Sequence, residues 1–520
     1  MTPEKITQQK KTPPVSTSGG ESTVKTAPKT LFATLFQLGP GIIITGSIVG
    51  SGELIATTKV GAEAGFYLLW LIIIGCVIKV FTQIELGRFT ILTGRTSLQA
   101  MDSLPGPRYK ANWLIWYWVV LIALTLSQQG GIVGGIGQTL LINQPLTKHG
   151  AEYNHIQDNL IKAKVEQSQL KSRQGDSPEV AQLQEKIDTL SARIARIKEP
   201  PDAYLWAGII SLATSILLYI GRYRFIQIAS TFLVASFTAV TITTVFILQT
   251  KPDWAVTGRE LATGLSFRLP AAVKFAAANP IATALATFGI IGVGAAELIA
   301  YPYWCLEKGY ARYTGPRENS TAWLNRARGW LGVLQTDAWL SMIVYTFATI
   351  AFYLLGAAVL GRANLNPEKA DMIRSLTEMY VPVFGQWTEK VFLFGAFAVL
   401  YSTFFVAAAA YGRMITDALQ IFHVISPSQP TKEKSIRIIS VTWPLVAFVV
   451  YVFFRAPVAM VLICGLAQSI MLPMLGATAL YCRYQLKIEK LTPSKIWDFF
   501  LWLSFVGLLI AGLWAVISIF

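Results

Sequence analysis

The sequence predicts an all-α membrane protein of about eleven transmembrane helices, arranged as two repeats of inverted topology. Three observations carry that prediction. First, 53% of the 520 residues are hydrophobic and only 14% are charged, with a mean hydropathy of +0.48; this balance belongs to polytopic membrane chains, not to large soluble domains. Second, apolar runs of about 20 residues or more recur along the chain, each long enough to cross ~30 Å of hydrocarbon. Third, Gly50-Ser51-Gly52-Glu53-Leu54-Ile55-Ala56 and Gly294-Ala295-Ala296-Glu297-Leu298-Ile299-Ala300 read as copies of each other. Each sets helix-weakening glycines and one glutamate inside an apolar segment. Gly-interrupted spans at matching places in two halves are the mark of paired broken helices around a central site.

In chain order, residues 1–30 are polar and rich in Lys, Thr, Pro and Ser, which predicts a disordered cytoplasmic tail with no cleavable signal peptide. Residues 31–144 hold spans one to three. Span one runs from Leu31 to Gly61, with breaks at Pro40-Gly41 and Gly50–Gly52; span two is 66–93 and span three 113–142. After Gln128-Gln129-Gly130-Gly131, span three requires unusually close neighbours. Spans four (203–220) and five (225–249) complete the first repeat. The second repeat, 250–481, holds spans six (282–304), seven (334–360), eight (391–411), nine (438–454) and ten (458–481). A linker and span eleven (499–520) follow within 482–520.

Residues 145–202 break the apolar rule. They carry nine Lys/Arg and nine Asp/Glu, and Val180, Leu183, Ile187, Leu190, Ile194 and Ile197 form a heptad seam. A weaker stripe, Ile156, Leu160, Ala163 and Leu170, precedes the turn Gln174–Pro178. The expected element is an extracytoplasmic, coiled-coil-like helical hairpin. It folds as a solvated insert or, alternatively, docks a partner.

The net charge of +15 is dispersed between apolar spans, so it sets orientation in a lipid bilayer and does not point to nucleic acid. Arg95, Arg108, Arg222, Arg224, Lys308, Arg312, Arg326, Arg328, Lys432 and Arg483 fall on one side, which predicts a cytoplasmic N-terminus and, after eleven spans, an extracytoplasmic C-terminus. The four cysteines lack disulfide or zinc spacing, and His149, His155 and His423 lie outside the spans, which excludes an intramembrane histidine relay. No phosphate loop or nucleophile constellation points to an enzyme.

The chemistry therefore concentrates at the two glutamates. At a helix break, carbonyls ending one half-helix attract cations and amides starting the next attract anions. Glu53 and Glu297 sit at the start of the second half-helix. They cap orphan amides, or supply charge to a cation site, or both. Gly50, Ser51 and Gly294 offer neutral oxygens, while Gly50, Gly52, Gly292 and Gly294 are candidate hinges. Secondary candidates are Thr45, Ser47, Gln128, Gln129 and Gln468, for which ordinary interhelical hydrogen bonding, about 0.6 kcal/mol each, is the competing role. Asp337 is a candidate coupling-ion residue. Lys79, Glu85 and Arg88 read as an ion-pair or snorkelling set near the cytoplasmic end of span two, and Ala407–Ala410 as a site of close helix approach.

From Gly39-Pro40-Gly41 to the run Gly61-Ala62-Glu63-Ala64-Gly65-Phe66-Tyr67-Leu68-Leu69-Trp70, the chain resembles the first two helices of the Nramp family of divalent-metal transporters. The resemblance implies a LeuT-like fold: two inverted five-helix repeats with helices one and six broken, in a family some of whose members are proton-coupled importers of manganese and iron. Where that family has Asp-Pro-Gly-Asn, this chain has Gly50-Ser51-Gly52-Glu53. The family's Met-Pro-His falls on Ala296-Glu297-Leu298, which makes Ala296 a further candidate. The soft thioether and the imidazole are thus both gone, and the carboxylate, carbonyl and water oxygens that remain suit harder ions; relatives with altered sites are associated with magnesium.

The leading expectation is a secondary-active transporter of a hard divalent cation such as magnesium or manganese, with no resident cofactor. The alternatives are an ion-coupled symporter of an organic amine or amino acid, and a non-transporting sensor or scaffold.

Overall fold

The computed structural model describes residues 24–41, 43, 46, 49–221, 223–270, 279–368, 371–486 and 488–518. The expected candidates Thr45 and Ser47 lie outside them. Among the described residues, ten helices are long and apolar enough to cross a membrane. They match expected spans two to eleven one for one: Leu69–Thr93, Trp113–Asn143, Asp202–Ile220, Thr231–Leu248, Pro280–Lys308, Thr321–Leu360, Thr388–Ile421, Gln429–Phe454, Pro457–Gln485 and Lys495–Ile517. Several run well past their expected edges. Span seven begins at Thr321, capped by the Ser320 side chain, because its polar first turns are helical although hydropathy does not register them.

Span one is in pieces. A short helix, Leu31–Gln37, ends at Leu38 and Gly39, and Pro40 opens the next helical turn. The break expected at Pro40-Gly41 therefore falls two residues earlier, since a proline is well placed in a first turn, where its missing N–H is not needed. The second break is where the glycines place it: Val49 and Gly50 form a turn, followed by a π-helix, Gly52–Thr57, and an α-helix, Thr58–Ala64. The wider π register frees carbonyls, and the Thr57 and Thr58 hydroxyls donate to Gly52 O (3.0 Å) and Glu53 O (3.3 Å). Span six is a helix Pro280–Ile290, an irregular stretch, and a helix Ala295–Lys308.

The two broken spans meet backbone to backbone. A Cβ at Gly52 would lie 3.0 Å from Ile290 O, so only glycine lets span one come this close to the break in span six. Around them, spans six and eight are 83% and 78% buried over their apolar windows, whereas spans four, nine and eleven bury only 28%, 28% and 33%. The first set is the interior of the bundle; the second presents apolar side chains such as Leu212, Phe453 and Ile510 outward, as lipid contact requires.

The polar insert is a helical hairpin, Lys148–Gln174 and Pro178–Arg196, turning at Gly175 with φ +69°. Leu160 and Ala163 pack on Ile187, flanked by Leu183, Leu190 and Ile194, along the expected seam. Asp202 staples its base by accepting from Leu146 N (2.7 Å) and Thr147 N (2.9 Å). The hairpin lies on its own chain: Asp158 pairs with Arg374, and Ser168 Oγ donates to Arg362 O at 2.7 Å.

Candidate functional site

Glu53 is fully buried at the foot of the span-one π-helix. Its carboxylate accepts from Gly50 N (3.4 Å) behind it and from Gly292 N (3.2 Å) across the interface, with the Thr349 hydroxyl of span seven 3.3 Å away. It thus caps its own half-helix and holds one peptide of the opposite break. The capping role expected for a glutamate here is real, and it extends to a second helix.

The break in span six needs that help. Gly292 takes φ +56°, a left-handed conformation, with the backbone of Cys76 and the ring of Tyr345 packed where a side chain would go. The carbonyls ending the helix Pro280–Ile290 are met by Lys79. Its ammonium donates to Phe288 O and to Ile291 O (2.8 Å) and sits 4.8 Å from the Phe288 ring centroid. This corrects the expectation that Lys79 snorkels with Glu85 and Arg88. Those two do pair with each other, at 2.5 Å, but Lys79 is completely buried and points into the break of another span.

Beyond the break, Ala296 N donates to Gln468 Oε1 (3.0 Å). Gln468 Nε2 donates to Gln128 Oε1 (3.0 Å), which also receives Cys464 Sγ (3.3 Å), and Gln128 Nε2 donates to Ser51 Oγ (3.4 Å). A polar thread therefore runs from the break of span one through spans three and ten to the break of span six. Glu297 stands beside it: a Cβ at Gly294, which starts the half-helix, would be 2.5 Å from Glu297 Oε2 and 3.0 Å from Gln468 Oε1. Among the described residues Glu297 Oε2 has no hydrogen-bond partner. Unlike Glu53, Glu297 is partly exposed, although its Oε2 is itself buried, and with Ala296, Ala300 and Trp304 it lines a crevice whose far wall is Ala407, Ala410 and Tyr411 of span eight. The small residues expected to bring helices together instead leave this space.

A family model described as Nramp, natural resistance-associated macrophage protein-like, matches residues 41–150. The divalent metal cation transporter MntH of Caldanaerobacter subterraneus subsp. tengcongensis is 32% identical over 113 residues, 22% of this chain and 26% of that protein. MntH of Mycobacterium tuberculosis is 26% identical over 111 residues, 21% of this chain and 26% of that one. The matched stretch thus spans about a quarter of the length of these curated relatives. A crystal structure of the Eremococcus coleocola manganese transporter, in complex with an aromatic bis-isothiourea substituted compound, aligns with a TM-score of 0.59 at 14% identity, covering 96% of this chain and 90% of that one. Over residues 41–150 the chain is similar to Nramp proteins. At that identity the structural likeness is one of fold, and the fold is LeuT-like, with spans one and six broken where they face each other.

The structure brings together Gly50, Ser51, Glu53, Gln128, Gly292, Gly294, Ala296, Glu297 and Gln468. It places two expected candidates elsewhere. Gln129 is buried on span three, and among the described residues its Oε1 has no hydrogen-bond partner. Asp337 accepts from Gly39 N (3.2 Å), Gly41 N (2.5 Å) and the Tyr301 hydroxyl (3.1 Å), holding the start of span one. Thr349 and Cys464 are not among the candidates the sequence offers, and Lys79 is there only in an ion-pair or snorkelling role. For Lys79 the signal was present, since a lysine inside an apolar span is a functional candidate by default. Cys464 lies one helical turn before Gln468 and so shares its face. No group of three or more His, Cys, Asp or Glu side chains suited to hold a metal occurs among the described residues, so any ion here must draw largely on neutral oxygens.

Proposed function

We propose that this protein is a secondary-active transporter that carries a divalent cation by alternating access, binding it between the breaks of spans one and six. The observation that carries the proposal is the convergence of two carboxylates, Glu53 and Glu297, on two helix breaks joined by one polar thread. The relation to Nramp over residues 41–150 and the named role of the MntH relatives support it. Glu53 supplies a fixed charge, and Glu297, with its free oxygen and its crevice, supplies the exchangeable one. Ser51, Gln128, Gln468 and backbone carbonyls near Gly50 and Gly294 add neutral oxygens. An oxygen-dominated set favours a hard ion, magnesium or manganese, over softer ones; Cys464 Sγ is the one soft atom in the thread. In this reading the N-terminus is cytoplasmic and the hairpin and C-terminus lie outside, which the distribution of Lys and Arg between the spans supports.

The test is uptake of magnesium, manganese and calcium into liposomes holding the purified protein. Glu53→Gln and Glu297→Gln should each reduce uptake by about tenfold or more, because every 1.4 kcal/mol of lost binding is a factor of ten. Unchanged uptake in both variants rejects the site. A second reading, an ion-coupled symporter of an organic amine or amino acid, has one observation in its favour: the span-six break already receives an ammonium, that of Lys79. Sodium-dependent uptake of an amine or amino acid in the same liposomes, with no metal uptake, would select it.

A further inference from the structure

Broken helices bind ions because the carbonyls ending the first half-helix carry roughly half a negative charge and lack intrahelical partners. Inside a membrane those carbonyls must be satisfied by something. In span six that something is part of the chain. The Lys79 ammonium, completely buried, takes Phe288 O and Ile291 O, and the Phe288 ring adds a cation–π face. The N–H of that same Ile291–Gly292 peptide goes to Glu53. One tethered cation and one tethered anion thus hold the two ends of a single peptide unit in the break.

We propose that Lys79 is a built-in counter-cation: it fills the cation subsite at the carbonyl end of the span-six break, so that no free monovalent ion binds there and the cargo ion is held alone on the Glu297 side. The inference rests on reading the two breaks as a cation site, yet it makes a separate claim about which ions the protein does not need. An ammonium on a four-carbon stem cannot leave through the crevice. The cation that a co-bound ion would contribute in each transport cycle is supplied here by the chain itself, and transport should ignore sodium and potassium gradients. The same ammonium sets specificity, because a second cation at the break would face it in a medium of low dielectric constant.

The test removes the tether. Lys79→Met vacates the carbonyls, and its thermal unfolding in detergent, followed by light scattering, should acquire a saturable upward shift of about 2 °C or more between roughly 1 and 100 mM sodium or potassium at constant choline-balanced ionic strength. The wild-type protein and Lys79→Arg, which keeps a cation in place, should show no such shift. A Lys79→Met protein that folds but gains no response to either ion overturns the proposal. So does a wild-type protein that is itself stabilised saturably by sodium or potassium, or whose uptake follows their gradients, and that measurement decides the matter even if Lys79→Met does not fold. The cargo reading fails separately, when Glu53→Gln and Glu297→Gln leave metal uptake intact; the sodium response of Lys79→Met is independent of that result.

Discussion

Asp337 shows how a buried carboxylate in a membrane helix can be structural. Each of its oxygens accepts a backbone N–H, Gly39 on one and Gly41 on the other, and the Tyr301 hydroxyl adds a third bond. Asn cannot reproduce this pattern, because its amide group would set an NH2 against a backbone N–H. Asp337→Asn should therefore lower stability by roughly 1–3 kcal/mol, the cost of a buried donor left without an acceptor, seen as a reduced melting temperature. The cargo dissociation constant should stay unchanged; a large change there would favour the coupling-ion role for Asp337 over the structural one. The contrast with Glu53 and Glu297 explains what was legible at this scale. A carboxylate in an apolar run is visible in one dimension, so all three were found. Their partners are backbone amides and carbonyls of other spans, which carry no residue-specific mark. Lys79 was misplaced for that reason: Glu85 and Arg88 are visible neighbours in sequence, whereas Phe288 O and Ile291 O are not.

The hairpin was legible as an element because a heptad seam is a local pattern, and its turn obeys local chemistry: Ser177 caps, Pro178 opens the helix and Gly175 supplies the positive φ. Where it docks was not legible, since Asp158, Ser168 and Arg173 look like any solvated charged face. They meet Arg374, Arg362 and Asp253 of segments distant in sequence. That docking carries a pH dependence. Burial pushes the Glu378 carboxyl, in the segment between spans seven and eight, up from 4.5 to about 7; Lys162 of the hairpin opposes the rise and Asp158 adds to it. The docked state therefore holds more protons than the undocked state between these values. Docking is strongest below about 4.5, weakens as pH climbs through the window, and bears the full penalty above about 7. Backbone hydrogen exchange of residues 148–196 should be faster at about pH 8 than at about pH 5, and Glu378→Gln should remove the difference. Slower exchange at the higher pH would reverse the sign and reject the assignment.

Across the whole molecule, the inverted repeat was written into the sequence twice, as the Gly-Glu motifs, and ten of the expected spans followed from hydropathy alone. Hydropathy cannot say which side of the central site is sealed, because that depends on how far spans six and eight stand apart. In the structure they part beside Glu297, where Ala407 and Ala410 leave a crevice that runs along Ala300 to Trp304. At that end the two spans are tied by the ion pair of Arg413 with Glu307, and the Arg413 guanidinium lies 4.8 Å from the Trp304 ring centroid. If transport alternates by moving these spans, the crevice is the cargo's path on one side, with this tie across its mouth. Two variants test the path from opposite directions. Ala407→Trp overfills the crevice, whose walls at Ala407 and Ala410 are already buried, and should abolish uptake in protein that still elutes as a monodisperse peak. Ala300→Cys should react with an impermeant thiol reagent from one membrane face only, and more slowly with cargo bound; the four native cysteines are all buried, which keeps the background low. Full uptake by Ala407→Trp, together with labelling of Ala300→Cys that ignores cargo, would place the pathway elsewhere in the bundle.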